Sequence, residues 1–147
     1  MTAYSGTINT AGRLGEIGRQ TIASGSYALT GALVNADTVT WDNVFPNGKF
    51  KVISFRYWSP ELDTNASPTM TFTIGDETDP DGYLTTINGG LPATAPTNGS
   101  QLNYMGNGAL LNTTTAGRDV VFTVTAAVAT GASSGTLFWE AVIEGVG

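Results

Sequence analysis

Few side chains in this 147-residue chain could do chemistry, and the two most versatile types are missing, since it contains no His and no Cys. Without His there is no Ser-His-Asp triad, no Cys-His pair, no His-ligated zinc and no unaided general base near neutral pH. Without Cys there is no disulfide, no thiolate nucleophile and no sulfur metal ligand. Carboxylates and aromatic rings remain. The densest acidic run is Asp76, Glu77, Asp79 and Asp81, followed by Gly82. A flexible turn rich in carboxylates suits a hard cation such as calcium. The spacing departs from an EF-hand loop, because Pro80 intervenes and no Glu follows at the required place. Asp76, Asp79 and Asp81 are therefore only a weak metal candidate, and the run reads as a solvated hairpin turn.

A second carboxylate pair, Glu140 and Glu144, shares one face of a terminal alternating run, about 13 Å apart at roughly 3.3 Å per residue. Glycosidases hold their two carboxyl groups about 5 to 9.5 Å apart, so these read as exposed strand charges. Ser and Thr nucleophiles are abundant but have no base to activate them. Trp41, Tyr57, Trp58 and Trp139 raise the prospect of an aromatic platform of the kind that stacks on sugars. Aromatic residues on strands more often fill a core or a subunit contact. Trp41, Tyr57 and Trp58 form the candidate exposed patch, with Trp58 foremost because Ser59 and Pro60 end its strand. The residues point to a non-enzymatic protein with no cofactor.

The elements that would carry these groups are strands. Aromatic and β-branched residues load both alternating sets across Phe50 to Trp58, as in a strand covered on one face and partly covered on the other. Met70, Phe72 and Ile74 alternate with threonines. Val120, Phe122, Val124, Ala126 and Val128 form a third run, and Leu137, Trp139, Ala141 and Ile143 a fourth. Weaker strands fit Tyr27 to Val34, Thr38 to Val44, Gly82 to Ile87, Leu102 to Tyr104 and Ala109 to Leu111. Turn clusters at Pro46-Asn47-Gly48, Asp63 to Pro68, Asp79 to Gly82, Asn88-Gly89-Gly90 and Gly131 to Gly135 separate them. About eight short strands at this spacing predict an all-β fold, an antiparallel two-sheet sandwich of jelly-roll type. Gly89 to Gly108 is the least strand-like stretch and a candidate contact loop.

Residues 1–24 read differently. Gly6, Gly12, Gly15 and Gly18 leave no helical face, since each glycine costs about 1 kcal/mol in a helix. The expectation is an extended N-terminal arm over 1–24 followed by a β-sandwich domain over 25–147. Arg13, Leu14, Ile17, Arg19 and Ile22 are the arm's candidate contacts with a neighbouring subunit or partner surface.

Composition limits the partners. Charged residues make up 12% of the chain against roughly a quarter in an average soluble domain. The formal net charge is -6 with only six basic residues, too few and too scattered for a phosphate-binding patch, so nucleic acid is an unexpected partner. No run approaches the 18 or so apolar residues of a membrane span, and the N-terminus lacks the pattern of a secretory signal. A soluble protein with no membrane partner is expected.

From Leu62 onward the chain resembles a family of small tailed-bacteriophage head decoration, or cement, proteins. The carrying residues are Leu62-Asp63-Thr64, the alternating strand Thr69 to Ile74 ending in Gly75-Asp76, and Asp79-Pro80-Asp81-Gly82-Tyr83. Tyr104, Val120 to Ala129 and Gly135-Thr136-Leu137 extend the likeness, which covers roughly residues 50–143. It implies a structural virion protein that binds the outside of the head and stabilises it. The implied partners are the major capsid protein and further copies of the chain in a homotrimer. The implied place is the outer capsid surface after synthesis in the host cytoplasm. No catalytic residue is carried over. Two other readings stay open: a carbohydrate-binding or adhesion module of a phage or surface appendage, and a small tail or head-completion protein.

Overall fold

Alternation of apolar and polar residues buries one face of each strand, and the chain satisfies those faces by stacking two sheets against each other. The computed structural model describes residues 1–11, 18–45, 49–89, 93–98, 111–112 and 119–145, among which there is no helix. The strands are β1 (Ala3–Ser5), β2 (Thr7–Thr10), β3 (Gln20–Ala28), β4 (Thr38–Trp41), β5 (Lys49–Ser59) and β6 (Thr71–Gly75). They continue with β7 (Leu84–Asn88), β8 (Ala93–Asn98), β9 (Leu111–Asn112), β10 (Val120–Val124) and β11 (Thr136–Gly145).

One sheet has the order β1-β4-β10-β6-β7; the other runs β2-β3-β11-β5-β8, with β9 also pairing with β5. Four antiparallel pairings nest within one another along the chain: β3 with β11, β4 with β10, β5 with β8 and β9, and β6 with β7. They behave as one long hairpin rolled up so that successive pairs fall in alternate sheets. This is the jelly roll. β8 and β9 both run antiparallel to β5, at Arg56 to Ser59 and at Lys49 to Phe50, so they are two pieces of one strand position. The stretch read as a contact loop thus contains β8; its residues 90–92 and 99–108 lie outside the described residues, as do Leu102 to Tyr104.

The core is aromatic. Phe55 stacks between Tyr83, 4.6 Å away, and Trp139, 5.6 Å away. Phe72 packs on Phe122 at 4.6 Å and Trp41 meets Trp139 edge-on at 5.9 Å. β5 loads this core from both alternating sets because its register slips opposite Val142 and Ile143. Ser54 pairs with Val142 and Val52 with Ile143, leaving Ile53 as the extra residue of a bulge. Phe50 and Val52 before the slip, and Phe55 and Tyr57 after it, consequently all face inward.

The start of the chain departs from the expected arm boundary. β3 begins at Gln20 and pairs with β11 from Glu144 upward, so residues 20–24 are half of a sheet strand. Its buried positions are Ala23, Gly25 and Tyr27, and the first two are too small to give a period-two signal. The run from Leu29 onward, read as strand, is instead the connection to β4, with Leu29 and Leu33 buried in it.

Candidate functional site

The N-terminal ten residues form a clip across one side of the sandwich. β1 adds in parallel to β4, and β2 adds antiparallel to β3 in the opposite sheet. Thr2 N–H donates to Asp37 Oδ1 at 2.7 Å, Thr38 N–H to Thr2 O at 3.0 Å, and Gly6 N–H to Thr40 O at 2.8 Å. Gly6 makes the step between sheets over the face of Trp41, where a Cβ would stand 1.9 Å from the indole nitrogen. Gly25 covers the same ring from β3, its Cβ position 2.6 Å from Trp139 Nε1 and 2.7 Å from Trp41 Cδ1. Trp41 is thus buried, with Nε1–H donating to Ser26 O at 3.0 Å.

That position corrects the aromatic-patch expectation for Trp41. Its alternation phase sends it inward, where the clip and Gly25 close over it. Tyr57 is buried too, edge-on to Phe72 at 5.9 Å, and burial pushes its hydroxyl pKa up. Trp58 alone of the three looks outward. It is half-buried and sits directly across from Phe138 of β11, which is 43% exposed. The sequence offered a signal for Phe138, a large apolar residue at the outward phase of Leu137 to Ile143, but it was read only as alternation.

These two rings wall a cleft of about 390 Å³ on the outer face of the β2-β3-β11-β5 sheet, completed by Asn9, Ser24, Gly25, Trp139 and Glu140. The register builds it in rows: Ser26, Phe138 and Trp58 in one, then Ser24, Glu140 and Arg56. Arg56 Nε donates to Glu140 Oε1 at 2.9 Å, and Nη2 donates to the same oxygen. The Arg56 guanidinium also lies 5.6 Å from the Trp58 ring centroid. Farther along, Lys51 pairs with Glu144 at 3.7 Å. Glu140 and Glu144 are each spent on a cross-strand cation, which agrees with their reading as strand charges. Of the arm candidates, Arg19 is exposed and Ile22 is 50% exposed beside Val142, so Ile22 is not buried by its own chain. Arg13, Leu14 and Ile17 lie outside the described residues.

The acidic turn between β6 and β7 directs its central carboxylate into its own loop. Asp76 is buried, and its Oδ1 accepts from Thr78 N–H at 2.8 Å, Thr78 Oγ1–H at 2.7 Å and Asp79 N–H at 2.8 Å. Such a bond set builds a side-chain turn. Among the described residues no group of three or more acidic side chains is placed to hold a metal ion, so Asp76, Asp79 and Asp81 do not converge as ligands.

Asp63 has the most concentrated hydrogen bonding. Its fully buried Oδ2 accepts from the N–H groups of Thr69 at 2.9 Å, Met70 at 3.0 Å and Ala129 at 3.1 Å. Its Oδ1 accepts from those of Thr130 at 2.9 Å and Asn65 at 3.3 Å. Burial pushes this carboxyl upward; the bonds from Thr130, Ala129, Thr69 and Met70 outweigh that and hold it well below the usual carboxylate range. Leu62 and Asp63 N–H both donate to Gly89 O, and Ala132 N–H donates to Leu62 O. The Leu62-Asp63-Thr64 turn therefore ties together three loops at one end of the roll.

No protein-family model matches the chain, and no curated protein sequence matches it. Solved structures do. A chain of the cyanophage Pam1 capsid asymmetric unit superposes with a TM-score of 0.67 at 28% identity, covering 92% of this chain and 91% of that one. A chain of the capsid of Ralstonia phage GP4 superposes with a TM-score of 0.64 at 16% identity, again covering 92% and 91%. Its structural neighbours are phage capsid chains. At 16% identity the second likeness speaks for the fold alone, whereas the first adds 28% identity over 92% of the chain.

Proposed function

We propose that this chain is a structural virion protein, a decoration or cement protein that binds the outer surface of a phage head as a homotrimer and stabilises it. The observation that carries the reading is the full-length likeness to a chain of the cyanophage Pam1 capsid asymmetric unit. That likeness covers 92% of this chain and 91% of the other. The chemistry agrees with a non-catalytic role. Asp76 is engaged in its own turn, and Glu140 and Glu144 in cross-strand ion pairs. Resemblance of Leu62 to Asp76 and of Asp79 to Tyr83 to head decoration proteins favours the cement role over a shell-forming one. In this reading the major capsid protein is the partner, and Arg19 and Ile22, exposed at the start of β3, lie near the contact together with Arg13, Leu14 and Ile17. Many identical weak contacts around a shell sum to firm attachment.

The test has two parts. Light scattering after size exclusion is expected to give three copies of the 15.2 kDa chain. Purified chain mixed with heads that lack it is expected to co-sediment with them and to raise their resistance to heat. Heads that neither bind the chain nor gain stability would overturn the reading.

A further inference from the structure

We infer that the cleft between Trp58 and Phe138 is a binding site for a neutral saccharide. The inference stands independently of the virion reading. Three observations carry it. The lining is mixed in the way a sugar ring is mixed. Two aromatic rings meet across adjacent strands at Phe138 and Trp58, offering apolar surface to the C–H face of a pyranose. Asn9, Ser24 and Glu140 place an amide, a hydroxyl and a carboxylate around the same space for its hydroxyls.

The local charge is balanced, because the one carboxylate of the cleft is held by Arg56 through Nε at 2.9 Å and through Nη2. An anionic polymer finds no unpaired cation there and a cationic ligand no unpaired carboxylate, which leaves an uncharged polyol as the matching chemistry. The walls are also set in advance. Phe138, Glu140 and Trp58 stand on hydrogen-bonded strands in the middle of a sheet, and Arg56 contacts both Glu140 and Trp58, so little ordering is needed on binding. A volume of about 390 Å³ is within the range of small-molecule sites and suits a short saccharide. Phe138 is 43% exposed on this wall, so its ring is open to a ligand.

The test uses the full chain with a panel of glucose, galactose, mannose, N-acetylglucosamine and their common disaccharides, read by saturation-transfer NMR and tryptophan fluorescence. At least one member is expected to receive saturation at its ring C–H protons and to perturb the fluorescence. Phe138→Asn is expected to weaken that sugar about tenfold, since an aromatic wall is worth on the order of 1.4 kcal/mol. Asn9→Ala, at an exposed residue of β2, is a second variant with little risk to folding and should weaken it too. Val34→Asn, at an exposed residue of the connection between β3 and β4, should leave binding unchanged.

A silent panel would overturn the inference. So would binding that survives both Phe138→Asn and Asn9→Ala with unchanged affinity. A silent panel together with a Phe138→Asn variant that no longer trimerises or attaches to heads would assign the cleft to a protein contact instead. Failure of the virion reading would show separately, as failure of the unaltered chain to co-sediment with heads.

Discussion

Asp63 shows how much a single side chain can organise. Five backbone N–H groups from residues 65, 69, 70, 129 and 130 converge on one carboxylate. Removing it leaves those part-buried and buried donors without their acceptor, and Asn in its place offers one acceptor oxygen and turns an NH2 donor towards the same N–H groups. Asp63→Asn is expected to lower the melting temperature far more than Glu61→Gln, a change at an exposed neighbour. The pH dependence has a definite sign. A carboxyl whose pKa is held down in the folded chain stabilises it above the unfolded value of about 3.9, and that stability is lost as pH falls further towards the folded value. Urea titrations from pH 7 down to pH 3 should show the unaltered chain losing stability on the acid side. The Asp63→Asn variant should be less stable at pH 7 and lose less on acidification. An Asp63→Asn variant with the same acid loss as the unaltered chain would show that other carboxyls govern it.

At the scale of elements, the N-terminal clip and β3 show what sequence could and could not announce. Strands that bury large residues at every second position were legible: Phe72 and Ile74, Val120 to Val124, and Leu137 to Ile143 all became sheet. β3 was not, because the residues it buries include Ala23 and Gly25, chosen by the space beneath Trp41 and Trp139 and silent in a hydrophobic pattern. β5 was legible as a strand but not as a bulged one, although the switch from Phe50 and Val52 to Phe55 and Tyr57 marks the phase change. The cleft was half legible. Trp58 was singled out, but its partner Phe138 lies some eighty residues on and is brought opposite only by the β11-β5 register.

The clip has its own prediction. β1 and β2 cover the edges of β4 and β3, edges that would otherwise present unpaired backbone groups. Gly6→Ala forces a methyl into the Trp41 ring and should release the clip while leaving the β3-to-β11 roll folded. Hydrogen exchange is expected to quicken at Thr38 and Gly6, whose amides bond across the clip, and not at Phe122 in the central strand β10. Unchanged protection at Thr38 would mean that the clip accommodates the methyl.

For the whole molecule, the nested pairing order dictates how the roll must form. β3 finds β11 with Gln20 opposite Glu144, and β4 finds β10 with Trp41 opposite Val120. Only β6 with β7 and β2 with β3 are close in sequence, so most of the sheet hydrogen bonds require closure of long loops before they yield any stability. Folding is expected in the millisecond-to-second range typical of non-local β topologies, with no stable part-folded piece. β11 is the decisive element because it is the central strand between β3 and β5 and supplies Trp139 to the aromatic stack with Phe55. A chain ending at Ser134 would leave both neighbouring strands with open edges and the core without Leu137, Trp139, Ala141 and Ile143. Circular dichroism of that truncated chain should show no cooperative melt, whereas adding the missing strand as a synthetic peptide covering 135–147 should restore one by strand complementation. A truncated chain that melts cooperatively by itself would show that the β4-β10-β6-β7 sheet is stable alone, and the roll would then be two folding units instead of one.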